Sequence, residues 1–142
     1  FSPSAMQELH TMCEAVAEVL DMTVDGYDNQ AVSTARMVEP LEEVVDTMKE
    51  RLKSRHIERL GRNECTMQTG IHFLDIVHDI EKISDHCSNI AIYTIQLAEG
   101  AAEFDTHAYV KQAYKETPQF AEKLKFYQNK YLTKIDEVEA ME

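Results

Sequence analysis

A formal charge of −12 on 142 residues, with 26 acidic side chains against 14 basic ones, excludes nucleic acid as a natural partner, because neutralising phosphates takes lysine and arginine. The same balance disfavours an anionic membrane surface and makes divalent or trivalent cations and basic proteins the complementary partners. The length suits one domain with a sizeable core. Four glycines, three prolines and few turn clusters among abundant helix formers predict an all-α fold.

Helix 1 is predicted to start at Ser2-Pro3, a cap residue followed by proline at the first helical position, and to stop near Gly26. Its expected seam is Met6, Leu9, Cys13, Val16, Leu20, Thr23 and Tyr27. Beside it runs an acidic line of Glu14, Glu18, Asp21, Asp25 and Asp28, read as a solvated flank. Helix 2 is predicted from Asp28-Asn29 to about Leu60-Gly61, with Val38, Leu41, Val45, Met48 and Leu52 as its seam and a kink at Pro40. Glu39, Glu42 and Asp46 share one face; if Pro40 instead opens the helix, Glu39 leaves that face and the other two remain.

Helix 3 is predicted to be capped by Asn63, with Glu64 in its first turn, and to run to about Ala98 before Glu99-Gly100. At 1.5 Å per residue it is roughly 50 Å long. One line holds Phe73, Val77, Ile80, Ser84, Cys87, Ala91, Thr94 and Ala98; a second holds Ile76, Ile83, Ile90 and Leu97. Two adjacent apolar lines predict a central helix that packs over a broad face, and Gly70 marks the close approach of a neighbour. A shorter helix, Phe104 to Lys115, precedes a break at Thr117-Pro118. The last segment carries Phe120, Leu124, Tyr127, Tyr131, Ile135 and Val138 at helical spacing and ends in EVEAME, read as frayed. The expected organisation is an antiparallel three-helix bundle over 1–100, spectrin-repeat-like, with C-terminal helices over 101–142 packing on the bundle or on a partner.

Cys13, Cys65 and Cys87 make no CxxC pair. Cys13 and Cys87 fall on apolar lines, which predicts buried free thiols in a reducing compartment. No apolar run approaches the roughly 20 residues that span a bilayer. With no signal peptide and a start at Phe1 rather than Met, the chain reads as an excised domain or a processed fragment.

His78, Glu81 and Asp85 lie within about 60° of one another on helix 3, at the margin of the apolar lines. Carboxylates there need a counter-charge, because desolvating an anion is expensive. Lys82, Arg36 and Arg51 are candidates for it. The matching Glu42 and Asp46 on helix 2 bring a second acidic face to the same place, and a bound cation resolves the repulsion more simply. An oxygen-rich set with one imidazole suits iron, manganese, zinc or magnesium, and the lack of thiolates argues against a structural zinc site. The candidate ligands are therefore Glu42, Asp46, Glu81 and Asp85, with His78 next and Asp21 or Asp25 behind.

A di-iron oxidase needs two carboxylate-x-x-His pairs. Asp75 and His78 make one, and no second exists. Hydrolase motifs and phosphate-cradling glycine loops are absent, and His10, His56, His72, His86 and His107 have no catalytic spacing. His56, in SRHIERL, suits a cation at a helix C-terminus. The expectation is a protein that is not an enzyme.

EKISDHCSNIA, from Glu81 to Ala91, resembles the PhoU family, whose pattern reads E-R-I-G-D-H-x-x-N-I-A. Lys82 stands for the usual Arg and Ser84 for the usual Gly. LEEVVDTMKERL, Leu41 to Leu52, is similar to the family's second-helix motif, with Glu42 and Asp46 in its ExxxD places. FSPSAMQEL, SRHIERL followed by Cys65, and DTHAYVKQAY resemble the PhoU-like region that follows the transporter domain in bacterial sodium/phosphate cotransporters. The resemblance implies three-helix repeats whose acidic motifs bind iron or other metal ions, and a regulatory role in phosphate uptake on the cytoplasmic side of the membrane. It implies the parent's transmembrane transporter domain as partner. With one clear repeat present, a cluster built from two would require a homodimer or the rest of the parent. The rival expectation is a structural or protein-interaction bundle without metal, or a free-standing phosphate-uptake regulator.

Overall fold

Ser2 opens the first helix, α1 (Pro3–Asp28): its Oγ accepts from the Ala5 amide at 3.2 Å, and Pro3 occupies the first helical turn, where its missing N–H costs nothing. The computed structural model describes residues 1–100 and 107–141, the side chains of 107–110 excepted. Among the described residues all regular structure is helical. α2 (Val32–Gly61) and α3 (Met67–Glu99) follow through short connections, so the three form an antiparallel bundle in which α1 and α3 point the same way. Then come α4 (His107–Lys115), α5 (Pro118–Tyr127), a π-helical turn at Gln128–Leu132 and α6 (Thr133–Met141). Phe104 and Asp105, where the sequence places the start of the fourth helix and the DTHAYVKQAY stretch, lie outside the described residues.

Both helix starts after α1 differ from the sequence expectation. Asn29 Nδ2 donates to Asp25 Oδ1 at 2.7 Å, which commits its carboxamide to the end of α1. α2 therefore begins later, at Val32, with Ala31 as a cap that offers no side-chain bond. Asn63 adopts a left-handed φ of 58°, a conformation asparagine tolerates, and forms part of the chain reversal. Thr66 caps α3, accepting from the Thr69 amide at 3.1 Å. α2 runs through Pro40, so Glu39 stays on the face with Glu42 and Asp46. α3 ends on Gly100 at φ 61°, the usual left-handed stop.

The core comprises Leu9, Met12, Val16 and Val19 from α1, the predicted seam of α2, and Phe73, Val77, Cys87, Ala91 and Ile95 from α3. In α1 the seam is rotated from the sequence expectation. Met6, Cys13, Leu20 and Tyr27 are exposed, while Ala5, Met12, Ala15, Val19 and Gly26 are buried. Small residues take the helix contacts: a Cβ on Gly26 would lie 3.2 Å from the Ala35 backbone nitrogen. Cys13 is thus an exposed thiol, against expectation, whereas Cys87 is buried. The second line of α3, Ile76, Ile83, Ile90 and Leu97, is also exposed. Gly70 does mark a close approach, since a Cβ there would meet Leu60 Cδ1 at 2.8 Å.

The C-terminal helices dock along α1 and α2. Tyr127, Tyr131 and Ile135 are buried against the core. Lys130 Nζ donates to Glu18 Oε1 at 2.7 Å, Tyr131 Oη to Glu18 Oε2 at 2.8 Å, and Lys134 Nζ to Glu14 Oε2 at 2.9 Å. Two of the five residues of the acidic line of α1, Glu14 and Glu18, therefore form a docking edge rather than a solvated flank. Val138 is buried and Glu139 pairs with Arg51 at 2.9 Å, so the segment as far as Glu139 is held rather than frayed. Burial, then the charge of Glu18, pushes the Tyr127 phenol up to about 12.

At one end of the bundle Glu8, fully buried, pairs with Arg55 and, at 2.6 Å, with the buried Arg59. His56 stacks on Phe73 with ring centroids 3.9 Å apart. Burial, then the Arg59 charge, pulls its pKa down, so it is a neutral core ring; the basic residue of the last turn is Arg59. No helix among the described residues is long and apolar enough to cross a membrane.

Candidate metal centre

α2 and α3 pack along their length, and the turn spacing of each helix sets acidic groups facing each other across that contact. Glu39, Glu42 and Asp46 stand at i, i+3 and i+7 on α2, and Glu81 stands opposite on α3. Glu42, Asp46 and Glu81 each offer a carboxylate oxygen such that the three atoms all lie within 4.8 Å of one another. Glu42 is 3% exposed and Glu39 fully buried. Asp46 Oδ1 is buried with no hydrogen-bond partner, in a position where an acceptor normally finds one.

The electrostatics follow from crowding anions in a poorly solvated place. Burial first, then the charges of Asp46 and Glu39, pushes the Glu42 carboxyl up to about 8. Burial first, then hydrogen bonding with Glu81, raises Asp46 to about 6. At neutral pH Glu42 therefore holds a proton. Two ammonium groups stand at the ends of the row: Lys111 Nζ is 3.3 Å from Glu39 Oε2, and Lys49 Nζ is 3.4 Å from Glu81 Oε2. Ser88 of α3 donates to Glu39 Oε1. Ser84 Oγ, one turn earlier, is buried without a partner.

Of the sequence-predicted ligands, Glu42, Asp46 and Glu81 converge. His78 and Asp85 are exposed on α3 and lie outside the group, as do Asp21 and Asp25 on α1. α3 is turned so that Glu81 and Ser88 face α2, which leaves Asp85 on the solvent side. The counter-charges also differ from expectation. Arg36 pairs with Glu99 and Arg51 with Asp136 and Glu139, while Lys82 is exposed.

Lys49, Lys111 and Ser88 were not anticipated. One signal was present: Lys111 and Lys115 are four apart on α4, as Glu39 and Glu43 are on α2, and the second pair also meets, at 2.6 Å. Three hard oxygen donors, an unpartnered buried oxygen and exchangeable protons fit a divalent or trivalent cation.

Residues 9–94 match a family model described as the PhoU domain. The match contains Glu42, Asp46 and Glu81. No curated protein and no solved structure matches the chain.

Proposed function

This chain belongs to the PhoU domain family, a regulatory and non-catalytic family of phosphate homeostasis, and from that premise we propose that it is a metal-responsive regulatory domain acting on phosphate transport. Glu42, Asp46 and Glu81 hold the ion, which supplies charge neutralisation between α2 and α3. Bound there, it clamps two helices that otherwise repel through their carboxylates. The observation that carries this reading is the meeting of three carboxylates from two helices beside the unpartnered Asp46 Oδ1.

The transport setting is the cytoplasmic side of a sodium-dependent phosphate transporter, with the parent's transmembrane domain as partner. Support for it comes from the stretches FSPSAMQEL and SRHIERL, which resemble the PhoU-like region of such transporters. Elemental analysis of protein purified without chelator tests the metal arm. Iron, manganese, zinc or magnesium at near-stoichiometric level, removed by chelator with a fall in Tm, is expected. Metal-free protein whose Tm ignores both chelator and added ions would leave a purely structural bundle.

A further inference from the structure

Five serine and threonine side chains among the described residues are buried: Thr11, Thr23, Ser84, Ser88 and Thr94. Four of them have an acceptor. Thr11 donates to the Gln7 carbonyl at 3.0 Å, Thr23 to that of Val19 at 2.7 Å and Thr94 to that of Ile90 at 2.9 Å, the bond back to the preceding turn that hydroxyls make inside helices. Ser88 donates to Glu39 Oε1. Ser84 is fully buried, and its Oγ has no partner. A buried hydroxyl left in that state destabilises the fold and calls for a reason.

The register of α2 against α3 supplies one. Asp46 hydrogen-bonds with Glu81 and Glu39 accepts from Ser88, so one seven-residue stretch of α3 runs antiparallel to one of α2. Ser84, three residues beyond Glu81 and four before Ser88, therefore stands at about the height of Glu42. It lies on the inner side of the carboxylate row, since the next residue, Asp85, is exposed. On the α1 side, Cys87 meets Thr23, which sets Val19 beside Ser84. Val19 is buried and apolar, and its neighbour Glu18 is turned to Lys130 and Tyr131. The polar side chains toward which Ser84 Oγ can turn thus belong to the row on α2, where Asp46 Oδ1 is likewise buried without a partner.

We propose that Ser84 Oγ is a fourth protein ligand of the cation held by Glu42, Asp46 and Glu81, an assignment that rests on that cation site. A neutral hydroxyl ligates a hard divalent ion through a lone pair and keeps its proton, so it adds a donor to the crowded row without adding negative charge. The resulting set is all oxygen, which suits magnesium or manganese better than zinc. The orphaned hydroxyl is then the cost that the metal-free fold bears for a donor it uses only when loaded.

Manganese titration of chelator-treated wild type beside Ser84→Ala, and cobalt titration of Ser84→Cys, test this. Ser84→Ala is expected to bind manganese about tenfold more weakly, yet to melt higher than the wild type when both are metal-free, because it removes an unsatisfied buried hydroxyl. Ser84→Cys is expected to take up cobalt with a thiolate-to-cobalt charge-transfer band in the near ultraviolet, absent from the cobalt-loaded wild type, which only direct ligation at this position produces. In a wild type that binds the ion, either a Ser84→Ala protein within about twofold of its affinity or a Ser84→Cys protein without the band overturns the assignment of Ser84 and leaves the three-carboxylate site standing. A wild type that binds neither manganese nor cobalt overturns both.

Discussion

Lys111 Nζ lies 3.3 Å from Oε2 of the fully buried Glu39, so the fourth helix places an ammonium group against the acidic row that gathers Glu42, Asp46 and Glu81. Burial lowers the Lys111 pKa and the carboxylates raise it; the carboxylates win, with Glu39 first and then Glu42 and Asp46. A helix distant in sequence thus supplies part of the counter-charge, and a cation entering the row competes with it.

Removing that competitor should strengthen cation binding. Lys111→Met is expected to raise manganese or zinc affinity by about fivefold to thirtyfold, roughly 1–2 kcal/mol for one charge several ångströms away at an effective dielectric near 20. Isothermal titration at fixed pH reads it. Unchanged or weaker binding would mean that Lys111 does not oppose the ion.

Stability without metal should fall as pH rises. Glu42, near 8, and Asp46, near 6, both sit above their unfolded values of about 4.5 and 3.8, so the folded chain binds more protons than the unfolded one. Their favourable contribution is complete below the unfolded values and is lost as pH climbs through about 6 and then 8. Melting of chelator-treated protein from pH 5 to 9 should show a decline that Glu42→Gln flattens. Parallel curves for the two proteins would contradict the assignment.

The buried pair at the far end of the bundle makes a different demand. Glu8→Gln removes the carboxylate that faces Arg59 at 2.6 Å and also pairs with Arg55. Depriving a buried guanidinium of its ion partner is expected to cost about 3 kcal/mol or more, read as a lower urea midpoint at unchanged slope. A change below about 0.5 kcal/mol would show that other contacts of Arg59 suffice.

Much of this architecture was legible in the residues. The Ser2-Pro3 start, the Gly100 stop, the α2 seam and the facing ExxxD groups all rest on local spacing, which a sequence displays directly. What spacing could not display was which stripe of a doubly striped helix faces inward. In α1, Ala5, Ala15 and Gly26 win the core over Met6, Leu20 and Tyr27, because the helices approach closely and small residues permit it. In α3 the rotation that aims Glu81 at α2 turns Asp85 and His78 to solvent, and that rotation is set by the neighbours. His56 departs from its expected place at a helix end for the same reason: its stacking partner, Phe73, lies on another helix.

The central claim is that Glu42, Asp46 and Glu81 hold a cation. Calorimetric titration of manganese or zinc into chelator-treated protein, wild type beside Glu42→Gln/Asp46→Asn/Glu81→Gln, tests it most directly. Near-stoichiometric binding is expected in the wild type, with a loss of at least tenfold in the triple variant, its helical spectrum intact, and no loss in His78→Ala/Asp85→Asn. Equal binding by wild type and triple variant would contradict it.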